Sequence, residues 1–144
     1  MTIEQVLNQQ IANWSVLYAK LHQFHWYVKG PQFFTLHAKF EELYEEAASV
    51  VDELAEQLLS INGKPVSTLK EFLEIASVKE TTEALTAEEM VQAIINDFSL
   101  LIVELKGGIA MAETNNDEVT SDMFIDLIGK LEKHNWMLKS FLGK

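Results

Sequence analysis

Helix breakers fall at only three places in this chain, and the stretches between them are long and carry apolar residues at helical spacing. The two prolines stand in Gly30-Pro31 and, just after Asn62-Gly63, in Lys64-Pro65, while the third break is Thr114-Asn115-Asn116-Asp117. With 6 Gly and 2 Pro in 144 residues, the chain lacks the frequent turns that an all-β protein of this length needs. The spacing predicts four long helices, over about 3–28, 35–61, 87–113 and 118–141.

Each long segment has an apolar face. Leu7, Ile11, Trp14, Tyr18 and Leu21 share a stripe in the first, and Leu36, Phe40, Leu43, Ala47, Val50, Val51, Leu54 and Leu58 form a broad face in the second. The third is rich in Met90, Ile94, Ile95, Phe98, Leu101, Ile102 and Leu105, and the fourth carries Phe124, Leu127, Ile128, Leu131, Trp136, Leu138 and Phe141. Lys106-Gly107-Gly108 interrupts the third segment at roughly 1 kcal/mol per Gly relative to Ala, so the pair either allows close packing or marks a kink. Thr68-Leu69-Lys70-Glu71 and Thr86-Ala87-Glu88-Glu89 both fit the capping box. The first of these opens a short helix, with Leu69, Phe72 and Leu73 on one face, inside a connection far too long for a tight turn. A long middle crossover makes the second and third helices run parallel, which an up-down bundle does not require. The expected architecture is all-α, a ferritin-like four-helix bundle with a short extra helix in the long crossover between helices two and three, forming a single domain over residues 1–144.

The chain has no cysteine, which removes disulfides, thiolate metal sites and a thiol nucleophile together. Any metal chemistry must therefore use His and carboxylates. Its 11 Lys+Arg stand against 22 Asp+Glu, a net charge of -11, and the first ten residues, MTIEQVLNQQ, contain no Lys or Arg. That balance repels nucleic acid and anionic lipid and argues against direct DNA binding. No apolar run approaches the roughly 20 residues needed to cross a bilayer, and no apolar signal core follows a charged start, so a cytoplasmic protein with no membrane association is expected.

The acidic residues are not evenly spread. At about 100° of rotation per residue, His37, Glu41, Asp52, Glu45 and Glu56 follow one another in that order around the second helix, within a stripe about 100° wide that adjoins its apolar edge. Asp52 and Glu56, at i and i+4, can converge on one cation and mildly repel one another without it. His25 lies five turns after Leu7 and so emerges from the apolar face of the first helix; a lone histidine there is more often a core residue than a ligand. His25 and His37, however, flank the same Gly30-Pro31 turn, each within about six residues of it, so an antiparallel helix pair brings them together. His37 and Asp52 are 15 residues apart, roughly 22 Å along a helix, and cannot share an ion within one chain. Two chains packed antiparallel about a twofold axis would place each histidine pair against the partner's carboxylate pair, giving two identical intersubunit sites. The Glu-x-x-His motif of single-chain di-iron bundles is missing. Two histidines with two carboxylates suit Fe(II), Zn(II) or Mn(II).

His22-Gln23-Phe24-His25-Trp26-Tyr27, then Phe33-Phe34-Thr35-Leu36-His37, then Asp52-Glu53-Leu54-Ala55-Glu56 together resemble the signature of the Dps family of mini-ferritins, the DNA-binding proteins from starved cells. The resemblance runs over essentially the whole chain, including Thr68 to Phe72 and Trp136 to Lys139. It implies a hollow homododecamer with ferroxidase centres at its twofold interfaces. Iron is bound there as Fe(II), oxidised preferably by hydrogen peroxide, and stored inside as ferric mineral. On that resemblance His25, His37, Asp52 and Glu56 are the catalytic iron ligands, with Glu41 as an additional or second-site ligand. His22 and Trp26 fall in the surrounding shell, Trp26 as a residue that could intercept oxidising equivalents or simply pack. Asp117, Asp122 and Asp126 match the pore through which iron enters, with Asp117 open to a second role as a helix cap. No organic cofactor is implied.

The basic N-terminal extension that holds DNA in the best-known members of that family is missing from this sequence. The expected function is therefore iron storage and detoxification by a ferroxidase, protecting DNA indirectly by removing iron and peroxide before hydroxyl radical forms. The alternative is a nucleoid DNA-binding or scaffold protein whose metal site is structural, marked by a basic tail and by failure to turn over iron. A third reading, an acidic helical interaction module without metal, leaves the placement of His25 and His37 unexplained.

Overall fold

The computed structural model describes all residues from Met1 to Lys144. They form five helices and no strand: α1 (Ile3–Tyr27), α2 (Phe33–Ser60), α3 (Leu69–Ile75), α4 (Ala87–Thr114) and α5 (Glu118–Phe141). The four long helices start and stop within two residues of the positions their breakers predict. Helix α4 passes through Gly107-Gly108 without a break. No helix is long and apolar enough to cross a membrane. Two units divide the chain, Glu4–Ala87 and Glu88–Lys144 together with Met1–Ile3, and each contains one helical hairpin.

In the first unit α1 and α2 run antiparallel. Gly30, at φ +109°, makes the reversal, and the Phe33 amide donates to the Gly30 carbonyl at 3.0 Å. The pairing then steps down both helices, from His25 on His37 to Phe24 near Phe40, with ring centroids 5.8 Å apart, and to Tyr18 near Tyr44 at 6.0 Å. Phe24 and Phe40 are fully buried, with Leu7, Ile11, Leu17, Leu21, Leu36, Leu43, Leu54 and Leu58. Each such side chain contributes on the order of 1.5–3 kcal/mol when removed from water.

The crossover is laced back along α1 by polar side chains. Asn8 accepts from the Val66 amide and donates to the Lys64 carbonyl, Asn13 accepts from the Ser77 and Val78 amides, Lys20 donates to the Lys79 carbonyl at 2.9 Å, and Gln23 donates to the Thr81 carbonyl at 3.0 Å. These bonds explain why Asn13 and Lys20 are buried on an otherwise apolar helix, since irregular backbone must find partners for its amides and carbonyls. Helix α3 has the expected capping box: Thr68 Oγ1 accepts from the Glu71 amide and the Glu71 carboxylate accepts from the Thr68 amide. Its apolar face stays open, with Leu69 and Leu73 exposed.

The second unit is the α4/α5 hairpin. Phe98 rests near His134, Asn135 Nδ2 donates to Ser99 Oγ at 3.1 Å, and Lys144 Nζ donates to Gln92 Oε1 at 2.8 Å, an antiparallel register again. Phe124, Leu131, Leu101 and Leu105 are buried here, whereas Trp136 is 65% exposed although its spacing placed it with the core.

Both α2 and α4 end in Schellman turns, with asparagine at the left-handed position. Asn62 has φ +67° and Asn116 φ +55°. The next amides, of Gly63 and Asp117, return to Leu58 and Ala112 carbonyls at 2.8 Å. Asparagine tolerates this conformation at lower cost than other non-glycine residues.

Candidate metal centre

His25 is the last-turn residue of α1, and its carbonyl is one of the four that an α-helix leaves without an internal partner. His37 supplies one. Its Nδ1 lies 2.7 Å from the His25 carbonyl, and His25 Nδ1 lies 2.6 Å from the His37 carbonyl. A carbonyl oxygen only accepts, so both rings must carry their hydrogen on Nδ1. The imidazoles stack at 3.7 Å with 14° between their planes. This reciprocal clamp fixes two ring orientations and leaves both Nε2 atoms as lone-pair donors, the tautomer a metal-binding histidine needs.

Helix α2 brings one carboxylate to the pair. Glu41, one turn after His37, has Oε1 3.8 Å from His25 Nε2, too long for a hydrogen bond and close enough to share a cation. His25 is buried while Asp52 and Glu56 are exposed further along α2. Nowhere in the chain do three His, Asp or Glu side chains converge as a metal site would require. One chain thus builds the histidine half of the expected constellation and displays the carboxylate half about four turns away.

Beside His25 stands an aromatic stack. Tyr44 lies face to face with His22 at 3.7 Å and edge-on to His25 at 5.3 Å. His22 also meets Trp26 at 5.1 Å and Tyr18 at 4.6 Å, and its Nδ1 donates to the Tyr18 carbonyl at 3.0 Å. Tyr18, assigned to the core stripe by its period, is 39% exposed and joins this stack instead, with a polar tip that favours water. Partial burial, followed by the charges of Glu41 and Glu45, pushes the Tyr44 phenol above its ordinary pKa and keeps its proton on. Sequence reasoning missed Tyr44. Its signal was present, for it falls two turns after His37 and shares that face of the helix.

The three aspartates at the start of α5 separate in role. Asp117 is the helix cap, with one oxygen accepting from the Thr120 amide at 3.0 Å and the other from the Thr120 hydroxyl at 2.6 Å. Asp126 pairs with Lys130 at 3.2 Å, and Asp122, exposed, lies one turn before it.

A ferritin-like domain model matches residues 4–144. The DNA protection during starvation protein 2 of Bacillus anthracis is 57% identical over 97% of this chain and 96% of its own length. General stress protein 20U of Bacillus subtilis is 56% identical over 96% of each. A crystal structure of a Dps protein from Bacillus brevis superposes with a TM-score of 0.96 at 54% identity, covering 97% of this chain and 94% of that one. The fold is accordingly an all-α ferritin-like bundle, and the chain belongs to the Dps family of mini-ferritins.

Proposed function

We propose that this chain is an iron-storage and detoxification protein that works as a ferroxidase, taking Fe(II) as substrate and oxidising it, preferably with hydrogen peroxide. The observation that carries the reading is the His25/His37 clamp, two lone-pair nitrogens held rigidly beside Glu41 with too few ligands in one chain to complete a site. A second copy supplies what is lacking. Antiparallel packing of α2 about a twofold axis sets Asp52 and Glu56 of one copy against the histidines of the other, so His25, His37, Asp52 and Glu56 form the catalytic site and Glu41 adds a further ligand. The twofold pair builds into a hollow dodecamer that stores ferric mineral. The family match over 4–144 supports reading 1–144 as a single ferritin-like domain.

Carboxylates stabilise Fe(III) over Fe(II) and so favour oxidation, while imidazole nitrogens retain Fe(II) until an oxidant arrives. Two irons at one site can give two electrons to one peroxide, which breaks the O–O bond without releasing hydroxyl radical. Protection of DNA is then indirect and takes place in the cytoplasm. Asp122 and Asp126, with Asp117 at the helix start, form the acidic pore for incoming iron. The relatives' names, DNA protection during starvation and general stress protein, fit a protective role of this kind.

Anaerobic loading with Fe(II) followed by peroxide tests the reading, with the expectation of about two irons oxidised per peroxide and little trapped radical. Oxidation no faster than in buffer would overturn it. A solution mass near twelve subunits is expected, and a stable monomer would remove the shared site.

A further inference from the structure

The two Schellman turns share a geometry and differ in the residue that follows the asparagine. Asn62 and Asn116 are both exposed and left-handed, at φ +67° and +55°, and each is followed by an amide that donates over 2.8 Å to a carbonyl of the last helical turn. After Asn116 comes Asp117, whose Cβ crowds that nitrogen and whose carboxylate is taken up in capping α5. After Asn62 comes Gly63, which carries no side chain. In an asparagine followed by glycine nothing hinders attack by the backbone nitrogen on the side-chain amide carbon before it.

Around Gly63 the fold opposes that attack. The Gly63 N–H is held by the Leu58 carbonyl, and the Lys64 amide donates to Glu4 Oε1 at 2.6 Å. Asn8 ties down the Lys64 carbonyl at 3.1 Å and the Val66 amide at 2.9 Å. The attacking species is the Gly63 nitrogen after loss of its proton. Forming it gives up the bond to Leu58 and places negative charge beside the Glu4 carboxylate, both unfavourable.

We infer that Asn62 is a spontaneous modification site, converted through a cyclic imide to aspartate and isoaspartate, and that the hold of Glu4 and Asn8 on residues 64–66 sets its rate. Water is the only co-reactant. The Gly63 nitrogen gives its proton to solvent hydroxide and bonds to Asn62 Cγ; the Cγ–Nδ2 bond breaks, and Nδ2 leaves as ammonia with a proton from water. Water then opens the imide. Breaking the bond from nitrogen to Cγ gives aspartate, and breaking the bond from nitrogen to the Asn62 backbone carbonyl carbon gives isoaspartate. In sum one amide and one water become one carboxylate and one ammonium, with nothing oxidised or reduced. Either product adds negative charge at the carbonyl end of α2, next to Glu4, where the helix dipole is already negative. Isoaspartate also inserts a methylene into the main chain, which takes the Gly63 amide out of register with Leu58. Conversion thus loosens the end of α2 and the start of the crossover, an age mark independent of the metal chemistry.

The assembled protein is held for days at mildly alkaline pH and physiological temperature. Peptides spanning Asn62 and Asn116 are followed by mass spectrometry, and isoaspartate is scored by enzymatic methyl transfer. Conversion at Asn62 should outpace that at Asn116 several-fold and rise several-fold further in Glu4→Ala, with Asn116 unchanged. Asn62→Gly keeps a residue suited to the left-handed turn and should abolish the ammonia released from it. Equal rates at the two asparagines, or an intact Asn62 over a period in which the urea-unfolded chain converts, overturns the site. An unchanged Asn62 rate in a folded Glu4→Ala protein overturns the role of the clamp. Were Glu4→Ala to unfold globally, both asparagines would quicken together, and Asn8→Ala then repeats the test through the Lys64 and Val66 bonds, with the same outcomes deciding.

Discussion

Mixing two inactive variants should restore activity if the iron site is shared between chains. His25 and His37 stack at 3.7 Å, whereas Asp52 lies 15 residues beyond His37 on the same unbroken helix, roughly 22 Å away at 1.5 Å per residue. No side chain spans that gap. One variant carries His25→Ala and His37→Ala, the other Asp52→Asn and Glu56→Gln, and each assembled alone has every site broken. In a twofold pair containing one of each, one site receives intact histidines and intact carboxylates, and the other receives neither. Random mixing makes half of the pairs mixed, and half of the sites in those are whole, so about one quarter of wild-type sites return. The assay is the initial rate of Fe(II) oxidation by peroxide in particles co-assembled from differently tagged subunits, with mixing verified by native mass spectrometry. Verified mixed particles with no recovery would refute the shared site, and activity in either variant alone would refute the ligand assignment.

Other perturbations probe the scaffold that holds the site. A Cβ at Gly63 collides with the Leu58 side chain and comes within 3.0 Å of Glu4 Oε1, so Gly63→Ala should lose about 1–3 kcal/mol, read from the urea midpoint. Lys20→Met leaves the Lys79 carbonyl without its ammonium donor and should cost about 1–3 kcal/mol, with faster proteolysis of the crossover as the local readout. Hydrogen bonds from the Ser67 amide, then from Thr68, hold Glu71 below the usual glutamate pKa. A carboxyl group whose folded pKa is depressed stabilises above its unfolded value and loses that contribution as pH falls through the folded one, below about pH 4. Amide exchange across α3 should therefore quicken in that acid range, and Glu71→Gln should flatten the dependence. At -11 per chain, the protein should leave unmodified DNA unshifted in a gel at moderate salt without added metal, and a retarded band would contradict the indirect route of protection.

Much of this fold could be read from the chain because its information is local. Apolar residues at helical period, Asn62-Gly63 and Asn115-Asn116 as stops, and Thr68 with Glu71 as a capping box each act over a few residues, so the helix ends follow without knowledge of any partner. The histidine pair was legible for the same reason, since both members flank one short turn. Tyr44 was not, because a tyrosine on a helix beside glutamates has many uses, and only the register of α1 against α2 brings it onto His22 and His25. Nor were Asn13 and Lys20, polar residues on an apolar face whose carbonyl and amide partners lie about 60 residues away in the crossover.

By itself, then, the sequence determined an all-α chain with helix ends in place, no thiol chemistry, and a histidine pair separated from Asp52 and Glu56 by more helix than one ion can bridge. Tertiary structure decided which nitrogens remain free to bind, through the exchange of Nδ1 hydrogen bonds between His25 and His37. It also decided which aromatic rings stand beside them and how the crossover is tied to α1. The division has a physical cause: helix propensity and capping act between neighbours in sequence, whereas ring orientation and burial depend on how one helix is set against another.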